Sequence, residues 1–233
     1  MAKEKKILDI RYFSDDESVD SKYFSIFEIS KEASVLGARI ARKLREFGFI
    51  TGDFDHVYIN FTDSLTSSEV ALSNKHCEKW FKYFDVGINR NEVNKLSDSD
   101  RLQFIEEKTY QVLELINRTQ TMLIENVRIE VASNGSELEI LHKHKETNAH
   151  DVKLTYQIKP NGLENSVAII YYLDKKTGKD FTSKIELEFY EDILFLASNV
   201  TVSKGLITLK PRTSFKAEIY NKKYDVPITI QIT

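Results

Sequence analysis

The chain has few of the residues that covalent cross-links and phosphate-binding loops require. It holds one cysteine, three prolines and eight glycines in 233 residues. The single thiol, that of Cys77, excludes an intrachain disulfide, which favours a reducing, cytoplasmic location. Glycine-rich phosphate loops, the Gly-x-Ser-x-Gly elbow and the His-Glu-x-x-His zinc helix are all missing from the sequence. Most motif-bearing enzyme classes are thereby removed, and catalysis by dispersed residues stays open.

Long hydrophobic runs are also missing. No apolar stretch approaches the roughly 18 residues of a membrane span. The charged residues 1–6 are followed by a segment that is too short and too polar for a secretion signal. We therefore expect a soluble protein that is not exported and has no membrane partner.

Neither sign of charge dominates the composition. Lys and Arg number 33 against 36 Asp and Glu, so the formal net charge is −3. Phosphate-driven binding needs a positive field, and this balance therefore disfavours a nucleic-acid partner. The basic side chains of one predicted helix are interpreted as its solvated face: Arg39, Arg42, Lys43 and Arg45.

The hydrophobic pattern changes near residue 126. Before that point helical and strand periods are mixed, and after it short alternating segments follow one another. The clearest marker is a predicted strand over residues 127–132 followed by Asn134-Gly135, a pair that readily forms a tight hairpin turn. The sequence predicts an α+β protein of two units: a mixed α+β unit over residues 1–125 and an all-β antiparallel unit over residues 126–233.

In the first unit the order of strand, strand, helix, strand predicts an antiparallel sheet with helices packed on one face. Ser30 is the expected N-cap of a helix that ends at Gly48, and Ser97 the N-cap of a second. Residues 67–82 are predicted as a further helix, with a strand through Val86 and Ile88 as the alternative. The predicted strands cover residues 7–13, 23–29 and 55–61.

In the second unit, the many short strands at regular spacing predict an antiparallel sandwich, barrel or curved meander. Residues 152–158 alternate between apolar and polar, which indicates one buried and one solvated face. Residues 167–173 are apolar on both faces and predict a central strand.

Three histidines come closest to a metal-binding group. Strand alternation would place His142 and His144 on one face, and a short hairpin could return His150 to their vicinity. The spacing matches no zinc signature, so we interpret the group as the polar end of a hairpin. We expect neither a metal nor another cofactor.

Two groups of residues are candidates for binding. An acidic loop could steer a basic protein partner by its charge. One face of the third predicted strand carries polar and aromatic side chains that could line a pocket. The loop residues are Asp15, Asp16, Glu17 and Asp20, and the strand residues are His56, Tyr58 and Asn60.

The lack of catalytic motifs in two well-patterned β-rich units leads to one functional hypothesis and two alternatives. The hypothesis is a non-catalytic cytoplasmic protein-binding protein, comparable in class to bacterial immunity or antitoxin proteins that inhibit a basic effector. The first alternative is an enzyme of an unrecognised family with its site at the junction of the units, around His56, Tyr58 and Asn60. The second is a subunit of a larger assembly.

Overall fold

The computed structural model describes residues 4–14, 28–75 and 77–232. The protein is α+β, as the sequence predicts, and the chain divides into two compact units, Met1–Gly135 and Ser136–Thr233. The division follows Gly135 rather than residue 125. The acidic loop, Asp15 to Asp20, and most of the second predicted strand lie outside the described residues.

The described residues of the first unit form six strands in two sheets. They are β1 Lys5–Lys6, β2 Asp9–Ser14, β3 Ile50–Gly52, β4 His56–Thr62, β5 Val70–Leu72 and β6 Phe81–Gly87. A two-stranded sheet pairs β1 with β3, and a four-stranded sheet has the order β2-β4-β6-β5. β1 with β3 and β5 with β6 pair antiparallel, whereas β2, β4 and β6 pair in parallel. Parallel neighbours need a crossover connection, which a helix supplies between β2 and β4.

The helices of the first unit are α1 Lys31–Phe47, α2 Arg90–Val93, α3 Asp98–Ile116 and α4 Thr121–Asn134. The predicted ends of α1 are confirmed: Ser30 Oγ accepts a hydrogen bond from the Ala33 amide, and Gly48 adopts the left-handed conformation at φ 90°. Ser97 caps α3 in the same way, by accepting from the Asp100 amide. No helix in the described ranges is both long and apolar enough to cross a membrane.

The strand predicted over residues 127–132 is wrong, because these residues lie within α4. Val127 and Val131 satisfy a strand alternation, but together with Ile124 they also form the buried stripe of a helix. Ile129, which the strand pattern would bury, is 55% exposed. Gly135 ends the helix, so Asn134-Gly135 is a helix terminus and not a hairpin turn.

The helix predicted over residues 67–82 is also wrong. This stretch contains β5, a loop and the first residues of β6. Its irregular apolar stripe belongs to a sheet and its flanking loop, and the alternative strand through Val86 corresponds to β6.

One face of the four-stranded sheet packs against the helices. Gly37 of α1 allows the closest approach, since a Cβ there would lie 2.8 Å from Cε2 of Tyr12 and 2.9 Å from the Ile10 carbonyl oxygen. Tyr12 reaches further, to α3, where its hydroxyl lies 2.8 Å from Oγ1 of Thr109. Thr109 donates its own proton to the Ile105 carbonyl, so Tyr12 is the donor in this bond.

The predicted solvated basic face of α1 is wrong, because Arg39, Arg42 and Lys43 are buried. The Lys43 ammonium pairs with Glu46 of its own helix and with Glu130 of α4, at 3.2 and 2.9 Å. Buried cations require such partners. Among the four basic residues, Arg45 alone is exposed, and it donates to backbone carbonyls at the start of the chain.

The second unit holds two antiparallel sheets, ordered β10-β9-β8-β7 and β11-β12-β13. Their strands are β7 Glu139–Glu146, β8 His150–Gln157, β9 Ser166–Asp174, β10 Asp180–Leu187, β11 Asn199–Ser203, β12 Leu206–Lys210 and β13 Ile228–Gln231. The antiparallel pairing is confirmed, and so is the central position of β9, which lies between β8 and β10. Two short helices interrupt the predicted all-β pattern: α5 Ile193–Leu196 and α6 Phe215–Asn221.

Candidate functional site

The strand face predicted from His56, Tyr58 and Asn60 exists in the structure. These residues alternate along β4 with Val57 and Ile59, which lie on the helix side of the sheet and are fully buried. Because β4 is flanked on both sides, the opposite face is formed by three strands rather than one.

The parallel register brings further side chains beside those of β4. Tyr58 lies opposite Arg11 on β2 and Tyr83 on β6, and His56 lies opposite Phe81. Parallel partners share a face of the sheet, so an aromatic surface forms on the side away from the helices. We call it the aromatic face and define it by Arg11, Phe13, His56, Tyr58, Trp80, Phe81 and Tyr83.

Tyr58 is the centre of this surface. Its ring centroid lies 4.8 Å from that of Phe81, 5.2 Å from that of Tyr83 and 5.4 Å from that of Phe13. Trp80, in the loop before β6, packs edge-on against Phe81 at 4.5 Å and against His56 at 4.8 Å. Each such pair contributes about 0.5–1.5 kcal/mol beyond the burial of its area. The rings therefore hold one another in place.

Exposure differs between the centre and the rim of the aromatic face. Tyr58 is 6% exposed and forms the floor, whereas Trp80 is 43% exposed. The Arg11 side chain is 57% exposed, and its guanidinium carbon lies 5.7 Å from the centroid of the Tyr58 ring. Burial raises the pKa of Tyr58, and the Arg11 charge opposes that rise. The rim is thus open to solvent above a fixed aromatic floor.

Two loops border the face. At the carboxyl ends of β4 and β6, residues 63–69 fold so closely over the sheet that a Cβ on Gly87 would collide with the Thr66 backbone. At the other border, the Lys75 ammonium lies 5.6 Å from the centroid of the Tyr83 ring.

The polar end of the face lies under the first of these loops. Asn60 is fully buried, and its amide donates to the Asp85 carboxylate at 3.0 Å. Its carbonyl oxygen accepts no hydrogen bond from the residues that the structure describes. Buried polar atoms usually have a partner, so this oxygen is a spare acceptor beneath the loop.

The Asp55 carboxylate orients the imidazole of His56. Nδ1 of His56 donates to the Asp55 carboxylate at 2.6 Å, and Nε2 is the other ring nitrogen. This arrangement can orient a general base, but within the described ranges no side chain hydrogen-bonds to Nε2. The pair is therefore one component of acid–base chemistry, an imidazole with its orienting carboxylate.

The prediction that His142 and His144 share a strand face is wrong. A register shift between Leu141 and Lys143 leaves His142 as the extra residue of a β-bulge, and this breaks the alternation along β7. The His142 ring lies near Tyr156 and donates from Nε2 to the Ala197 carbonyl at 2.8 Å. His144 instead donates to Asp151, which occupies the other face of β8, at 2.7 Å. Burial lowers the pKa of His142.

His150 joins neither of the other two histidines, and its ring lies 6.0 Å from that of Tyr172. In the described part of the chain, no group of three or more His, Cys, Asp or Glu side chains could hold a metal ion.

Sequence reasoning missed five members of the aromatic face. Arg11 and Phe13 lie on the first predicted strand and alternate with buried Ile10 and Tyr12, a signal that was present in the sequence. The other three lie at or just beyond the end of the helix predicted over residues 67–82, which obscured the start of β6. They are Trp80, Phe81 and Tyr83.

No protein-family model, curated protein or solved structure matches this chain.

Proposed function

We propose that this protein is a non-catalytic protein-binding protein whose partner docks on the aromatic face. The observation that carries the proposal is the combination of a packed aromatic floor with an exposed rim of Trp80 and Arg11. Tyr, Trp and Arg are the residue types that dominate binding energy at protein interfaces. Rings that are already fixed in place lose little conformational entropy on binding.

The local charges favour a protein over a nucleic acid. Bases also stack on aromatic side chains, but such sites add an unopposed positive groove for the phosphates. Here Arg11 pairs with Asp9 at 2.8 Å, and His56 contacts Asp55 at 2.6 Å. The carboxylate of Asp85 borders the same face. Carboxylates beside each cation of the face disfavour a polyanion as the partner.

We extend the proposal to the class of partner, a basic effector that this protein inhibits in the manner of an immunity or antitoxin protein. The first unit has 19 Lys and Arg against 23 Asp and Glu over residues 1–135. A negative field accelerates encounter with a basic partner and disfavours acidic competitors. The excess of four acids equals the four carboxylates of the acidic loop, which lies outside the described residues.

The test of the docking surface compares three forms of the full chain against the protein recovered with it by affinity purification. Trp80→Ala should weaken the affinity at least tenfold, which corresponds to about 1.4 kcal/mol. The matched control is Phe215→Ala, which removes an aromatic side chain that is 79% exposed on α6 and should leave the affinity unchanged. Isothermal titration calorimetry measures both. Equal affinities of Trp80→Ala and the wild type would contradict the proposal.

The test of the basic effector reverses the charges of Asp15, Asp16 and Glu17 together. Rim charges steer encounter more than they hold a complex. Association should therefore slow and lose part of its salt dependence, while dissociation changes little. Stopped-flow kinetics across ionic strength measure this, and unchanged association rates would remove the loop from the interaction.

A further inference from the structure

The sequence contains two Asn-Gly pairs, Asn134-Gly135 and Asn161-Gly162. An asparagine before a glycine can lose its side-chain amide, because the backbone nitrogen of the next residue attacks the amide carbon and glycine has no side chain to obstruct the attack. By sequence alone the two pairs are equally susceptible to this reaction. Both asparagines are also exposed, so solvent access does not distinguish them.

The first pair is held by hydrogen bonds at the end of α4. The side-chain amide of Asn134 donates to the Glu130 carbonyl oxygen at 2.8 Å. The backbone amide of Gly135, which would be the nucleophile, donates to the Val131 carbonyl oxygen. Both reacting groups are therefore engaged, and a reaction at Asn134 requires the last turn of the helix to open.

The second pair lies in the exposed turn between β8 and β9. The backbone amide of Leu163 donates to the Pro160 carbonyl oxygen at 3.0 Å and closes the turn, in which Gly162 adopts a φ of 75°. Neither the Asn161 side chain nor the Gly162 backbone amide forms a hydrogen bond with any residue that the structure describes. The peptide between them is restrained by turn bonds at the surface, and exposed loops open locally at little cost in free energy.

The base of this turn is fixed independently of its tip. The backbone amide of Lys159 donates to Oγ of Ser166 at 3.1 Å, and both residues are buried. Ile158, before them in the chain, is fully buried. The tip can therefore change its conformation while β8 and β9 stay paired.

We propose that Asn161 is a site of spontaneous deamidation in the folded protein, with water as the co-reactant. The backbone nitrogen of Gly162 forms a bond to Cγ of Asn161. The bond from Cγ to Nδ2 breaks, and ammonia leaves with the proton of the backbone amide. Water then opens the five-membered imide at either carbonyl and leaves aspartate or isoaspartate. Each product adds one negative charge to the turn, and isoaspartate also carries the main chain through the side-chain methylene.

The experiment incubates the full chain in mildly alkaline buffer, where a backbone amide loses its proton more readily. Peptide mapping by mass spectrometry follows the conversion of amide to acid at both asparagines over time. In the folded chain the amide of Asn161 should be lost at least about tenfold faster than that of Asn134. In the chain unfolded by urea the two rates should become similar, because the hydrogen bonds at the end of α4 are then absent.

Two variants identify the site by charge. Asn161→Gln should remove most of the acidic species that the wild type accumulates on native ion exchange, since glutamine would have to close a larger ring. Asn134→Gln is the matched control and should accumulate this species as the wild type does.

Three results would show that the inference is wrong. They are similar rates at the two asparagines in the folded chain, a rate ratio that stays as large in urea, and an acidic species that forms in Asn161→Gln at the wild-type rate. The second result would mean that the neighbouring sequence, rather than the fold, explains the difference. No partner is needed for these measurements, so they are independent of the proposal for the aromatic face.

Discussion

The two faces of the β2-β4-β6 sheet are built by the same strands but differ in their burial. On the helix face, Val57, Ile59 and Phe61 of β4 are fully buried. On the aromatic face, His56 and Tyr58 of the same strand contact rings that are partly open to solvent. Aliphatic side chains need a covering layer to be removed from water, whereas edge-on rings cover one another. One strand can therefore place alternate residues in a buried core and the remaining residues in a partly exposed aromatic surface.

The largest effect should follow from opening a cavity on the helix face. Ile59→Ala removes a fully buried side chain and should lower the free energy of unfolding by about 2–5 kcal/mol. Urea denaturation followed by circular dichroism measures the change. Ile59→Val, as the matched control, should cost about 0.5–1.5 kcal/mol. Equal stability of Ile59→Ala and the wild type would mean that the helices do not bury this face of the sheet.

A methyl group at the closest approach of helix and sheet should have the next largest effect. Helix propensity alone predicts that Gly37→Ala stabilises the protein by about 1 kcal/mol. The added Cβ would lie 2.9 Å from the Ile10 carbonyl oxygen, so we expect a loss of about 1–3 kcal/mol through overpacking. The sign of the change in denaturation midpoint decides between the two expectations.

Alkaline pH should distinguish the tyrosines of the two faces. Burial raises the pKa of Tyr12 far above its usual range, so the folded protein keeps this proton above about pH 10, where the unfolded chain loses it. The folded state then binds more protons, and stability falls as pH rises, by up to about 1.4 kcal/mol per pH unit for one such group.

Tyr12→Phe should therefore make the alkaline loss of stability shallower, as measured by denaturation midpoints between pH 9 and 11. Tyr58→Phe should change the slope less, because the Arg11 charge opposes the rise in the pKa of Tyr58. A larger effect from Tyr58→Phe would reverse the assignment of the two faces.

The smallest effect on stability should come from the rim of the aromatic face. Trp80→Ala removes a partly exposed side chain and its ring pairs with Phe81 and His56, so it should cost about 1–2 kcal/mol. Urea denaturation followed by circular dichroism measures this loss of stability. A loss above about 3 kcal/mol would show that Trp80 serves the fold rather than the surface.

Local chemistry explains which parts of the fold were predictable. The ends of α1 and α3 depend on single capping residues, Ser30, Gly48 and Ser97, and their positions were predicted correctly. The two faces of β4 follow from alternation within one strand. These features need no knowledge of distant residues.

The wrong predictions concern segments whose sequence is compatible with two structures. Val127 and Val131 satisfy both a strand and a helix, and only packing against the rest of the unit decides for α4. The burial of Arg39 and Lys43 depends on tertiary contacts such as that with Glu130. The bulge at His142 is set by the pairing with β8, which the alternation of β7 alone does not reveal.

The aromatic face was only partly predictable for a related reason. His56, Tyr58 and Asn60 could be grouped from β4 alone. Their neighbours come from β2 and β6, and the parallel register that joins them is a property of the assembled sheet. A site shared among three strands is visible in sequence only after each strand has been recognised.

The bond between Tyr12 and Thr109, which spans 97 positions of the chain, has a consequence for synthesis on the ribosome. All strands of the four-stranded sheet lie before residue 88, whereas α3 and α4 come later. While the chain is growing, all residues of the aromatic face are synthesised before α3 and α4. During that interval the opposite side of the sheet lacks part of the helical layer that later covers it. The nascent protein therefore exposes an apolar surface that the finished protein buries, and a chaperone that binds apolar segments would meet this surface.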